Sequence, residues 1–240
     1  VNAPLQGVME LRIDDLAAWG AWVPAGWRLR GALHASASFG GQFGAPEFTG
    51  SIEGSGLGAR NLLEGIELKD GELQIALKGE TAQIVKLRAR GGDGSVEVTG
   101  GATFGAEPQA DLRVAADKLL LLGRVDRQLV VSGDATLRID PERLVVNGRF
   151  EADRGLFDVS RGTAPRLGDD VIVLRAPTPD EAAANARAAA GGREVDVTLE
   201  LDLGQALRVR GYGLNTLLRG QLMLTTPGWR LALAGTINTY

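Results

Sequence analysis

Only one histidine, His34, stands in the 240 residues, and there is no cysteine. Thiolate nucleophiles, disulfides and Cys/His metal sites are therefore excluded. A Ser-His-Asp triad would have to run through His34 alone. That residue falls on the polar phase of an alternating run, where a solvent-facing imidazole is the simpler account. Paired carboxylates occur at Asp14-Asp15 and Asp169-Asp170. General acid–base work needs carboxyls that face one reacting atom, whereas these pairs sit in turns or at a helix start, where a carboxylate caps backbone N–H groups. Gly54-Ser55-Gly56-Leu57-Gly58 resembles a phosphate-cradling loop in composition. Its spacing departs from the dinucleotide fingerprint and no helix follows, so a turn or bulge is expected. These residues imply no enzyme, no catalytic residue, no metal and no cofactor.

The totals narrow the classes further. Net charge is -4 with no basic excess, which argues against a nucleic-acid partner. Hydrophobic residues make up 44% but aromatics only 5%, so any core is built from Leu, Val, Ile and Ala. No apolar run approaches the ~20 residues of a membrane helix. The chain opens on Val1-Asn2-Ala3-Pro4, without an initiator Met or signal peptide, and reads as a segment of a larger protein.

The elements available to position anything are strands. Apolar residues alternate with Arg, Asp, Glu, Thr and Gln in run after run: Trp27 to Phe39, Phe48 to Ile52, Leu73 to Leu77, Val96 to Phe104, Ala110 to Val114, Leu129 to Ile139, Leu144 to Phe150, Val195 to Leu203, Leu218 to Leu224 and Trp229 to Ile237. Period two with one apolar face is the antiparallel habit. Turn signals divide the runs at Lys69-Asp70-Gly71, Gly91-Gly92-Asp93-Gly94, Asp140-Pro141-Glu142 and Thr226-Pro227-Gly228. Helix signals are few: a short helix over 14–22, begun by an aspartate cap and stopped near Pro24, and a second candidate where Thr178-Pro179-Asp180-Glu181 leads into an Ala-rich run ending at Gly191-Gly192. Residues 175–193, with Pro177, Pro179 and an Ala-rich run lacking an apolar face, read as an exposed insert.

A repeat lies inside the strands. Gly31, Gly50, Gly100, Gly133, Gly148, Gly220 and Gly235 each fall mid-strand in the apolar phase, with apolar residues two before and two after. Three spacings, 31/50, 133/148 and 220/235, suit the two arms of a hairpin. Mid-strand glycine weakens a sheet, so its repetition on the inner face implies either sharp curvature or room for a ligand against the backbone. The competing account is compositional: Arg outnumbers Lys 22 to 4 and Ala is abundant, as in GC-rich genomes, where glycine drifts into strands. Drift, however, should ignore phase.

From the residues alone, a closed β-sandwich explains the apolar face as well as an open trough does. A resemblance separates them. Leu29-Arg30-Gly31-Ala32-Leu33, Gly44 to Ile52 and Gly65 to Gly71 form a recurring unit, with Asp15-Leu16-Ala17-Ala18-Trp19 before it. Further on come Gly148 to Ala152, Val171 to Leu174, Val195 to Leu199, Leu207-Arg208-Val209-Arg210-Gly211-Tyr212-Gly213-Leu214 and Leu218 to Leu222. This order resembles the C-terminal domain family of TamB, the inner-membrane component of the translocation and assembly module, within the AsmA-like, bridge-like lipid-transfer group.

The resemblance implies an all-β fold over 1–240: an elongated, curved, antiparallel-rich sheet folded into an apolar groove, a β-taco. It implies a periplasmic location in a Gram-negative bacterium, as part of an inner-membrane-anchored protein. The implied partner is a TamA-like outer-membrane barrel, and the implied cargo is phospholipid or unfolded outer-membrane protein. The expected groove lining is Leu33, Ile52, Leu73, Ile75, Val98, Leu112, Leu137, Val146, Leu199, Leu222 and Leu233, beside the seven inward glycines. The four tryptophans, Trp19, Trp22, Trp27 and Trp229, mark either a rim or ordinary strand-end packing. The rival function is a protein-interaction scaffold that pairs its sheet edge with a client strand and carries no lipid.

Overall fold

The computed structural model describes residues 4–24, 26–42, 45–105, 107–161, 193–227 and 230–240. Almost all of it is strand: β1 (Gly7–Ile13), β2 (Trp27–Gln42), β3 (Ala45–Asn61), β4 (Ile66–Gly79), β5 (Thr81–Gly91), β6 (Gly94–Thr103), β7 (Gln109–Gly123), β8 (Arg127–Ile139), β9 (Arg143–Asp158), β10 (Glu194–Asp202), β11 (Leu207–Gly211), β12 (Leu214–Thr225) and β13 (Ala232–Thr239). All belong to one long curved sheet, in the order β1 to β9, then β10, β12 and β11, with β13 on β12. The expected helix over 14–22 is a 3₁₀ helix, Leu16–Trp22, rather than an α-helix, and Asp15 caps it by accepting from the Ala17 N–H at 2.9 Å. The expected insert at 175–193 lies outside the described residues except for Arg193.

Pairing is antiparallel from β1 to β9. After β9 the chain breaks the pattern: β10 and β11 both run parallel to β9, end to end along it. Together they make one interrupted strand, and β12 pairs antiparallel with both.

A line of irregularities crosses the sheet. Register shifts fall between Arg30 and Ala32 in β2, Gly54 and Ala59 in β3, Lys69 and Glu72 in β4, and Ile84 and Arg88 in β5. They resume between Ala116 and Leu122 in β7, and between Val130 and Val131 in β8, opposite Ala152 and Arg154 of β9. The gap between β10 and β11 continues the line. Each bulge bends its strand and increases the local twist, so a row of them creases the whole sheet. The phosphate-loop-like run Gly54 to Gly58 is part of this crease and not a turn. Ala116, Leu119 and Val131 form the buried core against the crease, joined by Leu68, Val96, Leu129 and Phe150.

The strand ends form two rims. The first carries the 3₁₀ helix, the β3–β4, β5–β6, β7–β8 and β11–β12 turns and the end of β9. Here the β5–β6 hairpin stops short and its neighbours close over it. The Gly123 N–H donates to the Gly65 carbonyl at 2.8 Å, and Arg124 Nη1 donates to the Leu63 carbonyl at 2.6 Å. Asp126 holds the Arg124 guanidinium in place at 2.8 Å. Asn61, buried, shapes the turn by accepting from the Leu63 and Glu64 N–H groups.

At the end of β9, Asp158 is 5% exposed at its side chain. The Ser160 hydroxyl and N–H donate to it, as does Arg210 Nε at 3.0 Å from the parallel neighbour β11. The Ser160 hydroxyl first, and then Arg210, hold this carboxyl below its ordinary value. A depressed native pKa stabilises the fold above the unfolded value of about 3.9, and the contribution disappears as pH falls through the native one. Asp111, Asp126 and Glu72 are lowered too, each chiefly by a hydrogen bond from an arginine or lysine. Thermal melts should therefore hold steady near neutral pH and drop below about pH 4. Asp158→Asn should flatten that drop while lowering the neutral-pH midpoint.

Candidate functional site

The pleat sends the two phases to opposite faces. Outward residues are charged and paired across strands: Arg138 with Asp111 at 2.7 Å, Arg113 with Asp134 at 3.2 Å, Arg149 with Glu200 at 2.6 Å. These pairs are exposed and screened by water, so each adds little to stability; their main effect is a wet outer face. His34 lies on this face, exposed, 3.4 Å from Glu10. Asp14 pairs with Arg12 and Asp15 caps the 3₁₀ helix, while Asp169-Asp170 lie outside the described residues. Among the described residues no three acidic or imidazole groups converge as metal ligands would. No described helix is long and apolar enough to cross a membrane.

The inward residues line up in rows. One row reads Leu11, Ala35, Ile52, Ile75, Ile84, Gly100, Leu112, Leu137, Val146, Val197, one residue from each of β1 to β10. The row beside it reads Met9, Ala37, Gly50, Leu77, Ala82, Ala102, Ala110, Ile139, Leu144, Val195 across the same ten strands. A third begins at Val98 and passes through Val114, Ala135, Gly148, Leu199 and Leu224 to Leu233. Leu33 pairs with Gly54, which faces Leu73, and Leu222 pairs with Leu201 and Gly235. The structure thus brings the eleven expected lining residues onto one apolar face, spread along the sheet in several rows.

Ten of the eleven are half-buried; Leu233, on edge strand β13, is 58% exposed. Among the described residues no large side chain is fully buried, and the buried apolar set is mostly alanine and valine. A closed sandwich would enclose its large inward residues. This face is curved over but not sealed.

The inward glycines are explained by their neighbours. A Cβ on Gly50, Gly100, Gly133, Gly148, Gly220 or Gly235 would come within 3.0 Å of the adjacent strand's backbone, and one on Gly31 would meet Gly56 and Leu57. Gly133 and Gly148 lie in paired strands, facing Phe150 and Ala135, and Gly220 and Gly235 face Ile237 and Leu222. At these points strands approach too closely for any side chain. That favours the curvature account over compositional drift.

Of the tryptophans, Trp19 is exposed on the first rim and Trp27 is half-buried at the start of β2; the side chains of Trp22 and Trp229 are not described.

No curated protein and no solved structure matches the chain. A family model, the TamB C-terminal domain, matches residues 85–240, which run from mid-β5 through the rest of the sheet to β13. That span contains the parallel β9–β10 and β9–β11 pairings and most of the inward glycines. The chain therefore belongs to the TamB C-terminal domain family.

Proposed function

We propose that this chain is a trough-forming segment of a periplasmic, inner-membrane-anchored envelope protein of a Gram-negative bacterium. In this reading the inward face shields apolar cargo. It contributes to outer-membrane protein assembly, to phospholipid transport between the inner and outer membranes, or to both. It works without an active site, metal or cofactor, and a TamA-like barrel is its partner in the full-length protein.

The observation that carries the reading is the pair of apolar rows crossing ten strands on a face that stays half-open. Burying an acyl chain recovers about 0.8 kcal/mol per CH₂. A long chain exposed in water therefore faces a barrier on the order of 10 kcal/mol, which a continuous apolar row lowers at every step.

The test is mass spectrometry of an organic extract from the purified chain. Co-purifying phospholipid or fatty acid at near-stoichiometric amounts is the expected result. An empty extract from a chain that also fails to take up a fluorescent fatty acid would sink lipid carriage. The second reading, strand addition to a sheet edge, has its own observation: among the described residues β13 pairs only with β12 and exposes Leu233 and Ile237.

A further inference from the structure

The two rims differ in a way that a trough does not require. Among the described residues the first rim exposes Trp19 on the 3₁₀ helix, Leu62 and Leu63 at the β3–β4 turn, Val125 at the β7–β8 turn, and Tyr212 and Leu214 at the β11–β12 turn. Leu63 is 64%, Val125 71% and Tyr212 83% exposed. The hydrogen bonds between the Gly65 and Gly123 turns bring Leu62, Leu63 and Val125 together. On the opposite rim the described turns carry Glu80, Glu107, Asp140 and Glu142, and the exposed large apolar side chains at its strand ends, Val8, Leu231 and Leu233, include no aromatic residue.

Tyr212 is the residue that local structure explains least. It joins Gly211 to Leu214 as the first of two central residues in a hairpin turn, with φ of +49° at Tyr212 and +85° at Gly213. A two-residue turn with both φ values positive favours Asn-Gly or Asp-Gly. A bulky aromatic residue there is conformationally costly, and at this tip it packs against little, being almost fully exposed. The fold itself would prefer asparagine. A side chain kept against the local rule is expected to serve something outside the fold.

We propose that the first rim docks on a lipid surface, with Tyr212, Trp19 and the Leu62–Leu63–Val125 cluster entering the boundary between headgroups and acyl chains. The spacing of these residues argues for lipid. They stand at separate turns along one rim, and a fluid interface can close around separate projections. Trp and Tyr suit that boundary because each has an apolar body and a polar tip. The net charge of -4 argues for an apolar contact rather than attraction to anionic headgroups. Docking this way does not require the trough to carry lipid.

Flotation of the chain with phosphatidylcholine vesicles tests the proposal. The parent chain is expected to float with the vesicles, and to do so equally at low and high salt, because screening leaves apolar contact intact. Tyr212→Asn should keep or raise the thermal midpoint while lowering vesicle partition about tenfold. Adding Leu63→Ser and Val125→Ser should abolish it. The inward variant Leu137→Arg should float like the parent, so loss of trough binding and loss of rim docking are told apart. A parent chain that does not float, or a triple variant that floats unchanged, overturns the proposal. So does concentration-dependent dimerisation that Tyr212→Asn removes, which would assign the rim to a second copy of the chain.

Discussion

Replacing Leu137 or Leu222 with arginine is expected to leave the chain soluble and cooperatively folded while its affinity for a fluorescent fatty acid falls about tenfold or more. Leu137 stands between Leu112 and Val146, and Leu222 between Leu201 and Gly235, on the inward face. In a sealed core either change would bury an unpaired charge at a cost of several kcal/mol, a large part of the 5–15 kcal/mol that a domain has. Both leucines are only half-buried, so a guanidinium can run its stem along the trough and hold its head in water. Cargo would then meet a charge in its path. Arg138→Leu is the outward control, because its pairing with Asp111 is exposed and contributes little. Arg219 is outward in phase but unsuitable: it is half-buried, and its guanidinium lies 4.7 Å from the Tyr240 ring centroid. Outright unfolding of both inward variants would mean a sealed sheet. Folded variants with unchanged uptake would leave a trough that carries no lipid, and edge pairing by β13 would become the better account.

Alanine at the inward Gly133 and Gly148 and at the exposed Gly56 should destabilise the chain, in an order that separates two causes. Gly56 has φ of +58° and nothing within 4 Å of a would-be Cβ, so Gly56→Ala bears only the backbone penalty of about 1–2 kcal/mol. A Cβ on Gly148 would meet the Ala135 Cβ at 2.6 Å without a positive φ, so Gly148→Ala bears only overpacking of about 1–3 kcal/mol. Gly133 combines φ of +151° with a would-be Cβ against the Arg149 carbonyl and the Phe150 Cα, and Gly133→Ala should cost the most, about 3 kcal/mol or more. Chemical denaturation of the three variants measures this. If glycine had drifted into these strands for reasons of composition, the sign would reverse: alanine stabilises where the native conformation tolerates it, by about 0.4–1 kcal/mol. Neutral or stabilised Gly133→Ala and Gly148→Ala variants would refute the curvature account.

Much of this architecture was legible in the sequence because one signal, period two, extends over most of the chain. The inward phase of β2, β6, β8, β9 and β12 could be read directly, from Leu33 to Leu222. What escaped was whatever breaks the period. In β5 the apolar phase passes from Ala82 and Ile84 to Leu87 and Ala89, because residues 85–87 form a bulge against β6. The strand therefore shows no clean alternation. In β7, Leu119 to Leu122 reads as a continuous apolar run, since two irregularities turn the phase within four residues. The parallel pairing of β10 and β11 with β9 left no local mark, because parallel and antiparallel strands share the same alternation. Tyr212 could have been noticed from Gly211-Tyr212-Gly213, where an aromatic residue occupies a turn that asks for asparagine.

The short β5–β6 hairpin has a consequence for direction. Neighbouring strands lie about 4.8 Å apart, so β4 and β7 should be separated by about 14 Å on both rims. On the first rim the Gly65 and Gly123 turns touch instead, and about 10 Å of edge is missing. A ribbon with one margin shorter than the other cannot run straight; it turns toward the shorter margin, as a hem gathered along one side pulls cloth into an arc. A straight channel would open onto two compartments facing opposite ways along one line. A gathered one turns, and its two ends face at an angle set by two missing strand widths.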